Sequence, residues 1–424
     1  MRTSESAIRL AGSSSIASRL QCLHVSKRWI VVAASTAAMM SGFIAFTTVS
    51  AFMVPLSIEL GWQKTALSAA YSLMSGGAAI GGVFMGLVSD RIDTRVVCTL
   101  GAMVIGLGFA LMSIQESLMG FLLLHLAMGA LGCACLYTPV IAAAGLWFEQ
   151  RRGLAIGLVT AGGTMGQGIT PLLLQPIIDG LGWRGGYMAL AALFLCLVTP
   201  LMWLIEKPPA SEYSSQASKE ATWPMSPALG VAWLGAAAFM CCAAMATPLV
   251  HLVPLMIECG RSPGMAGGLF LTVMLAGTAG RILFGLMADR TGALAAYMIA
   301  GLMQTATLYC FVAVGAAVPL FVIGAVFGFG FAGVMTALNL SVREAVPSTS
   351  VGMYTALVGL LAWAGMGTGG GIGGYLYDAT GTYDLSFAIA TAAGVANVTL
   401  LGILLFITSR GLRADAGGKK HSNE

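Results

Sequence analysis

The sequence predicts an all-α polytopic membrane protein, with twelve transmembrane helices in two six-helix, pseudo-symmetric bundles. Three observations predict it. The chain of 424 residues is 58% hydrophobic and only 9% charged, with a mean hydropathy of +0.87, whereas a soluble domain carries about 25% charged residues. Its apolar residues fall into twelve runs, each long enough to cross a bilayer. Finally, the tract Gly86-Leu-Val-Ser-Asp90-Arg91 returns six runs later as Gly285-Leu-Met-Ala-Asp289-Arg290.

The spans fall near 29–54, 65–89, 96–114, 117–146, 153–178 and 185–205, then 228–256, 264–288, 294–313, 316–344, 349–375 and 384–408. Twelve spans of about 20 residues use about 240 residues, which leaves short loops and no room for a separate soluble domain. Residues 1–28 are polar and Ser-rich and lack the order of a cleaved signal; they read as a disordered cytosolic tail. The first bundle covers 29–205. The polar interval 206–227, with Pro208, Pro209 and Pro224, is a cytosolic central loop. The second bundle covers 228–408, and 409–424 is a second cytosolic tail whose composition suits disorder.

Charge sets the orientation. With the N-terminus inside, 17 of the 21 Lys and Arg lie on inner segments, three (Lys64, Arg184 and Arg261) on outer loops, and Arg281 within a span. Basic residues concentrate on the cytoplasmic side, so both termini are expected in the cytoplasm of a cell-membrane protein. The net charge of +4 is a membrane signal and not a nucleic-acid one. The nine cysteines form no CxxC pair and no Cys/His cluster; they read as small apolar packers. The 56 glycines suit closely approaching membrane helices.

The halves repeat beyond the Gly-Asp-Arg tract. Gly162-Gly163-Thr-Met-Gly166-Gln-Gly168 in span 5 has a counterpart in Gly367-Thr-Gly369-Gly370-Gly371 of span 11. Duplication with a midplane site between the halves is transporter architecture. These glycines are neither preceded by a strand nor followed by Gly-Lys-Ser/Thr, so they form no phosphate loop, and nucleotide-driven transport is not indicated.

The G-x-x-x-D-R tracts after spans 2 and 8 resemble the loop motif of the major facilitator superfamily, and the likeness covers about 30–410. It implies that Gly86, Asp90, Arg91 and Arg95, with Gly285, Asp289 and Arg290, form a conformational latch in which the Asp pairs with a basic residue or a helix N-terminus. The first copy departs at Asp93, where the family usually has Gly, and the second lacks the basic residues after Gly292. A narrower likeness follows from Leu60-Gly61-Trp62, from Trp147-Phe-Glu-Gln-Arg151-Arg152-Gly-Leu-Ala-x-Gly157, from Gly280-Arg281-Ile-Leu-Phe-Gly285 and from Gly374-Tyr375-Leu-Tyr377-Asp378-x-x-Gly381-x-Tyr383. Together they resemble the monocarboxylate-porter and oxalate/formate-exchanger branch, in which the span-8 arginine binds the substrate carboxylate. Here that position is Arg281. The acid that some proton-coupled porters carry one turn earlier is Gly277, the span-1 basic residue is replaced by Thr47, Thr48 and Val49, and no Lys lies between Lys219 and Lys419. One fixed positive charge points to a monoanion.

Arg281 stands about five residues past the middle of span 8, roughly 8 Å toward the cytoplasm. A membrane-embedded Arg costs about 3 kcal/mol on insertion scales. It can snorkel to the interface, pair with an acid, or bind an anion; no Asp or Glu lies deep in any span, and its planar fork matches a carboxylate. His125 in span 4 and His251 in span 7 are candidates for proton coupling or for plain helix contacts. Tyr71, Tyr137, Gln167, Asn339, Tyr354 and Trp363 are candidates to line the cavity around the substrate, or to bond neighbouring helices.

The expected function is a secondary active transporter that moves a small organic monocarboxylate by alternating access, as proton symport or anion exchange. A drug or metabolite exporter of the same superfamily and a non-transporting membrane sensor are the alternatives. The spans show no Ser/His/Asp or Cys/His set and no metal-ligand cluster, so neither an enzyme nor a cofactor is expected. The partners are the anion, protons or a counter-anion, and the bilayer, with no nucleic acid and no nucleotide.

Overall fold

The computed structural model describes the backbone of residues 3–147, 152–206, 223–347 and 350–421, without the side chains of 3–26, 86, 87, 89, 90, 142, 145, 152–154 and 411–421. The described residues are predominantly helical and hold no strand. The helices are α1 (Thr3–Leu60), α2 (Lys64–Arg91), α3 (Thr94–Met112), α4 (Leu118–Ala127), α5 (Thr138–Leu146), α6 (Arg152–Ala192) and the short α7 (Thr199–Leu201). They continue with α8 (Pro227–Glu258), α9 (Pro263–Thr291), α10 (Ala293–Leu308), α11 (Cys310–Ala313), α12 (Ala317–Ala345), α13 (Val351–Thr380) and α14 (Asp384–His421). Among the described residues, eleven stretches are long and apolar enough to cross a membrane, and one of them, Ala155–Leu204, runs for 50 residues. That one reverses at Gly182 (φ 69°, ψ 178°), a conformation open to glycine and strained for other residues. Counting it twice gives the twelve crossings.

Local signals set the crossing ends. Ser226 and Ser262 accept the amides of Leu229 and Met265, each followed by a proline at the first helical position. Asp93, the departure from the loop motif, caps α3 by accepting the Arg95 amide at 3.0 Å. Gly381 ends α13 in the left-handed conformation.

Three boundaries differ from those the sequence predicts. Helix α1 runs on from Thr3 through the 28/29 boundary, and α14 continues past 408 to His421; neither flank holds a proline, so nothing in it removes a helical amide. The span predicted over 117–146 is broken. A π-helical stretch, Met128–Cys133, follows α4, and a non-helical turn over 134–137 precedes α5. Pro139 has no amide to give the carbonyl of Cys135, and the Cys98 thiol meets that carbonyl instead at 3.5 Å.

The internal duplication is explicit in the backbone contacts. A β-carbon on Gly81 would lie 2.1 Å from the Ala130 carbonyl oxygen, and one on Gly129 2.1 Å from that of Met74. An offset of 199 residues carries this set onto Gly280 against Phe329 and Gly328 against Val273. In α1 and α6, Gly162 and Gly166 abut the carbonyls of Thr36 and Met40; an offset of 203 gives Gly365 and Gly369 in α13 against Phe239 and Ala243 in α8. The span-5 and span-11 glycines are thus equivalent contacts of two equivalent bundles, each letting two backbones touch.

The halves meet along α2 with α13, α6 with α9 and α1 with α8. At the end where α2 begins, Asp378 of α13 accepts the amides of Lys64 (3.2 Å) and Thr65 (2.6 Å) and the Thr65 hydroxyl (2.5 Å). This places a carboxylate on a helix N-terminus. Lys64 pairs with Glu258 of α8 and lies 3.4 Å from the Tyr377 ring centroid. Deeper along the seam, the Ser72 hydroxyl donates to the Gly367 carbonyl at 2.6 Å, and Thr164 and Thr278 share a hydroxyl bond of 2.9 Å.

Two outcomes follow. Gly369→Ala drives a methyl into the Ala243 carbonyl and is expected to destabilise by about 1–3 kcal/mol or more. Gly359→Ala on the same helix meets nothing within 4 Å and is expected to be neutral or better; melting in detergent compares the two. Asp378→Ala removes an N-cap worth about 1 kcal/mol, so hydrogen exchange at residues 64 and 65 is expected to rise several-fold; unchanged exchange contradicts the capping role.

Candidate substrate site

Helix α9 enters at Pro263 and carries Arg281 to a level just past its midpoint. Gly277 and Gly280 seat α9 directly on α12, Gly280 against the Phe329 backbone. Three residues before the arginine, Thr278 makes its bond to Thr164, so Arg281 stands one turn from the seam between the halves. The side chain is partly buried, and its Nε is wholly buried with no hydrogen-bond partner among the described residues. No described carboxylate pairs with it; the described ion pairs of Arg and Lys involve Glu59, Asp93, Glu116, Glu206 and Glu258. Thr278, one turn before Arg281, bonds Thr164 of the first half, and a β-carbon on the adjacent Gly163 would lie 2.7 Å from the Phe43 ring.

Tyr137 is placed by the break in the fourth crossing, where its backbone leaves the helix (φ −112°, ψ −76°). π-Helical segments and interrupted membrane helices recur at functional sites. Four rings close on one another at this level. Trp363 of α13 stacks on Phe46 of α1 (5.1 Å between centroids, 23°) and meets Tyr137 edge-on (5.9 Å, 80°). Phe43 completes the ring set against Phe46 (6.0 Å) and Tyr137 (6.1 Å). Tyr71 of α2 adds a fifth ring, 5.8 Å from Phe46. Trp363, from the second half, is therefore inserted between residues of the first, and Met366 one turn on packs against the cores of both halves.

Of the cavity candidates read from the sequence, Tyr71, Tyr137 and Trp363 come together around Phe46. Gln167 is buried on α6 between Gly166, which abuts α1, and Gly168, which abuts Met274 of α9. The others lie elsewhere. Asn339 is exposed and donates to Met335 of its own helix at 2.8 Å. Tyr354 packs on the core of the second half. His125 bonds the Phe121 carbonyl at 2.9 Å within α4 and lies on that residue's ring. His251 belongs to the seam: Nε2 donates to the Gly370 carbonyl at 2.9 Å and stands 3.5 Å from the Ser68 hydroxyl of the other half, and Nδ1 faces the Tyr383 hydroxyl at 3.3 Å.

At the end of the bundle opposite Lys64, the side chains of Gly86 and Asp90 fall outside the described residues, as do those of Arg151 and Arg152. Arg91 is exposed at the end of α2, and Asp289 and Arg290 are exposed at the end of α9. Gly285 leaves room on α9, with only Thr336 near. Arg95 is tied within the first half, to Glu206 at 2.5 Å and Asp93 at 3.6 Å. Glu206 also pairs with Lys27, and its carbonyl accepts the Trp147 indole at 2.7 Å. Sequence reasoning passed over Phe43 and Phe46, whose spacing of three on one span is their only signal, and over the seam group Lys64, Glu258 and Asp378.

Comparison with known proteins matches this geometry. The family model of the Major Facilitator Superfamily fits the chain twice, over 34–233 and 232–423, one copy for each half. A protein named MFS-type transporter 1 from Ophiocordyceps sp. (strain BCC 1869) is 23% identical over 396 residues, covering 91% of this chain and 85% of the relative. Monocarboxylate transporter 13 of Rattus norvegicus is 27% identical over 318 residues, 72% of each chain. Monocarboxylate transporter 12 of Homo sapiens is 25% identical over 357 residues, covering 76% of this chain and 69% of the relative. With two matched repeats and twelve crossings, the chain is a multi-pass membrane transporter of the Major Facilitator Superfamily.

Proposed function

We propose that this transporter carries a small organic monocarboxylate anion across the cell membrane by alternating access, with the carboxylate held by Arg281. The observation that carries the reading is the arginine itself: a guanidinium between the halves, one nitrogen buried and unpartnered, and no described acid to neutralise it. A cation in that position draws an anion, and its planar donors fit two carboxylate oxygens. The single charge suits a monoanion. Two of the relatives are named monocarboxylate transporters, which supports the same substrate class.

The distribution of Lys and Arg supports cytoplasmic termini. In that orientation the seam at Lys64, Glu258 and Asp378 closes the outer side, and the loops carrying Asp90/Arg91 and Asp289/Arg290 latch the inner one when the halves rock. Movement is driven by a proton or by exchange against a counter-anion. Substrate shifts the rocking equilibrium only by its differential affinity for the two states.

Reconstituted in liposomes, the wild-type protein is expected to take up a labelled monocarboxylate saturably. Arg281→Gln is expected to lower that uptake about 100-fold, as removing one partner of a buried charge pair costs roughly 2–5 kcal/mol. An inward proton gradient that accelerates uptake identifies symport; acceleration by internal anion identifies exchange. A folded Arg281→Gln protein that transports as well as wild type overturns the reading, and neutral and cationic compounds become the panel to test.

A further inference from the structure

We infer that the carried acid bears an aromatic ring, received between Trp363 on one half and Phe46 and Tyr137 on the other. This deepens, and rests on, the carboxylate reading of Arg281.

The rings are held at one level by unrelated parts of the chain. Phe46 lies on α1 and Trp363 on α13, each near the middle of its crossing, and Tyr137 lies at the non-helical break between α4 and α5. The break turns one aromatic side chain toward two others that the regular helices already present. Thr278, one turn before Arg281, bonds Thr164; a β-carbon on the neighbouring Gly163 would lie 2.7 Å from the Phe43 ring, and Phe43 meets Phe46 and Tyr137. Tyr137 is in turn the edge-on partner of Trp363. The rings thus lie beside the stretch of α9 that carries the cation, as a flat acid with a terminal carboxylate requires.

The stacking contacts also bridge the two halves. Phe46 and Tyr137 move with the first, and Trp363 with the second. Alternating access requires the halves to rotate against each other, so Trp363 must leave at least one of its two partners during the cycle. Aromatic pairs prefer offset-stacked or edge-on partners. An aryl ring that enters as Trp363 withdraws restores those partners; a two- or three-carbon acid engages Arg281 and leaves them unmatched. Met366, packed on both cores, adds a polarisable thioether that favours ring edges. A second cation for a dianion is not at hand, since Lys64, the buried basic residue of α2, is engaged with Glu258.

The test uses the full-length protein in liposomes with benzoate and phenylacetate as aryl probes. Cyclohexanecarboxylate matches benzoate in size without a π-system, and lactate is the short acid. Competition against labelled benzoate is expected to need at least tenfold more cyclohexanecarboxylate or lactate than phenylacetate. Trp363→Ala is expected to raise the KM for benzoate at least tenfold more than the KM for lactate, and Trp363→Phe to restore most of the aryl preference. Thermal stabilisation of the wild-type protein by benzoate over cyclohexanecarboxylate reads the same preference without any variant. Equal competition by the four acids, or a Trp363→Ala defect equal for lactate and benzoate, overturns the ring subsite. Arg281→Gln separates the two ideas. If it abolishes uptake of all four acids while lactate competes best, the ring inference falls and the carboxylate reading stands. If aryl uptake survives it, the carboxylate reading falls.

Discussion

Arg281 brings a permanent charge to a level of α9 where its neighbours are backbone, hydroxyls and aromatic rings. Its delocalised fork is the basic group that tolerates such a place best, yet its buried nitrogen still lacks a bond. The surroundings are arranged around that demand. Gly277 lets Ala332 and Phe331 of α12 pack against α9, and Gly280 meets the Phe329 backbone directly. The Thr164–Thr278 bond ties α9 to the first half one turn before the charge.

The duplication shows how one frame came to hold an asymmetric site. The offset of 199 that superposes the glycine contacts of spans 2 and 4 on those of spans 8 and 10 places Gly82 opposite Arg281 and Thr336 opposite Tyr137. The first half thus supplies Tyr137 where the second has Thr336, and the second supplies Arg281 where the first has Gly82. The backbone contacts that set helix spacing are the repeated part, while these side chains have diverged. A site between such halves can be polarised, with a cationic end toward α9 and an apolar end toward α1.

The crossings, the repeat and Arg281 were legible in the sequence because each leaves a local mark: an apolar run, a recurring Gly-Asp-Arg tract, a lone charge in an apolar run. The glycine correspondence was legible for the same reason. What the sequence withheld were the pairings. Thr65 and Asp378 stand 313 residues apart, and no periodicity along the chain brings them together. His125 and His251 looked alike as lone histidines in apolar helices; only the fold distinguishes a ring bonded within its own helix from one that spans a seam. The break in the fourth crossing was hidden because the run stays apolar across it, with Pro139 as its single sign.

Glu206 has a mechanical consequence of its own. It fastens the base of α1 through Lys27, the start of α3 through Arg95 and the end of the fourth crossing through Trp147, and it stands where the first half hands over to the interval leading to the second. Three crossings clamped at one corner resist shear among themselves. Ties of this kind favour movement of the first half as one body when the halves shift against each other.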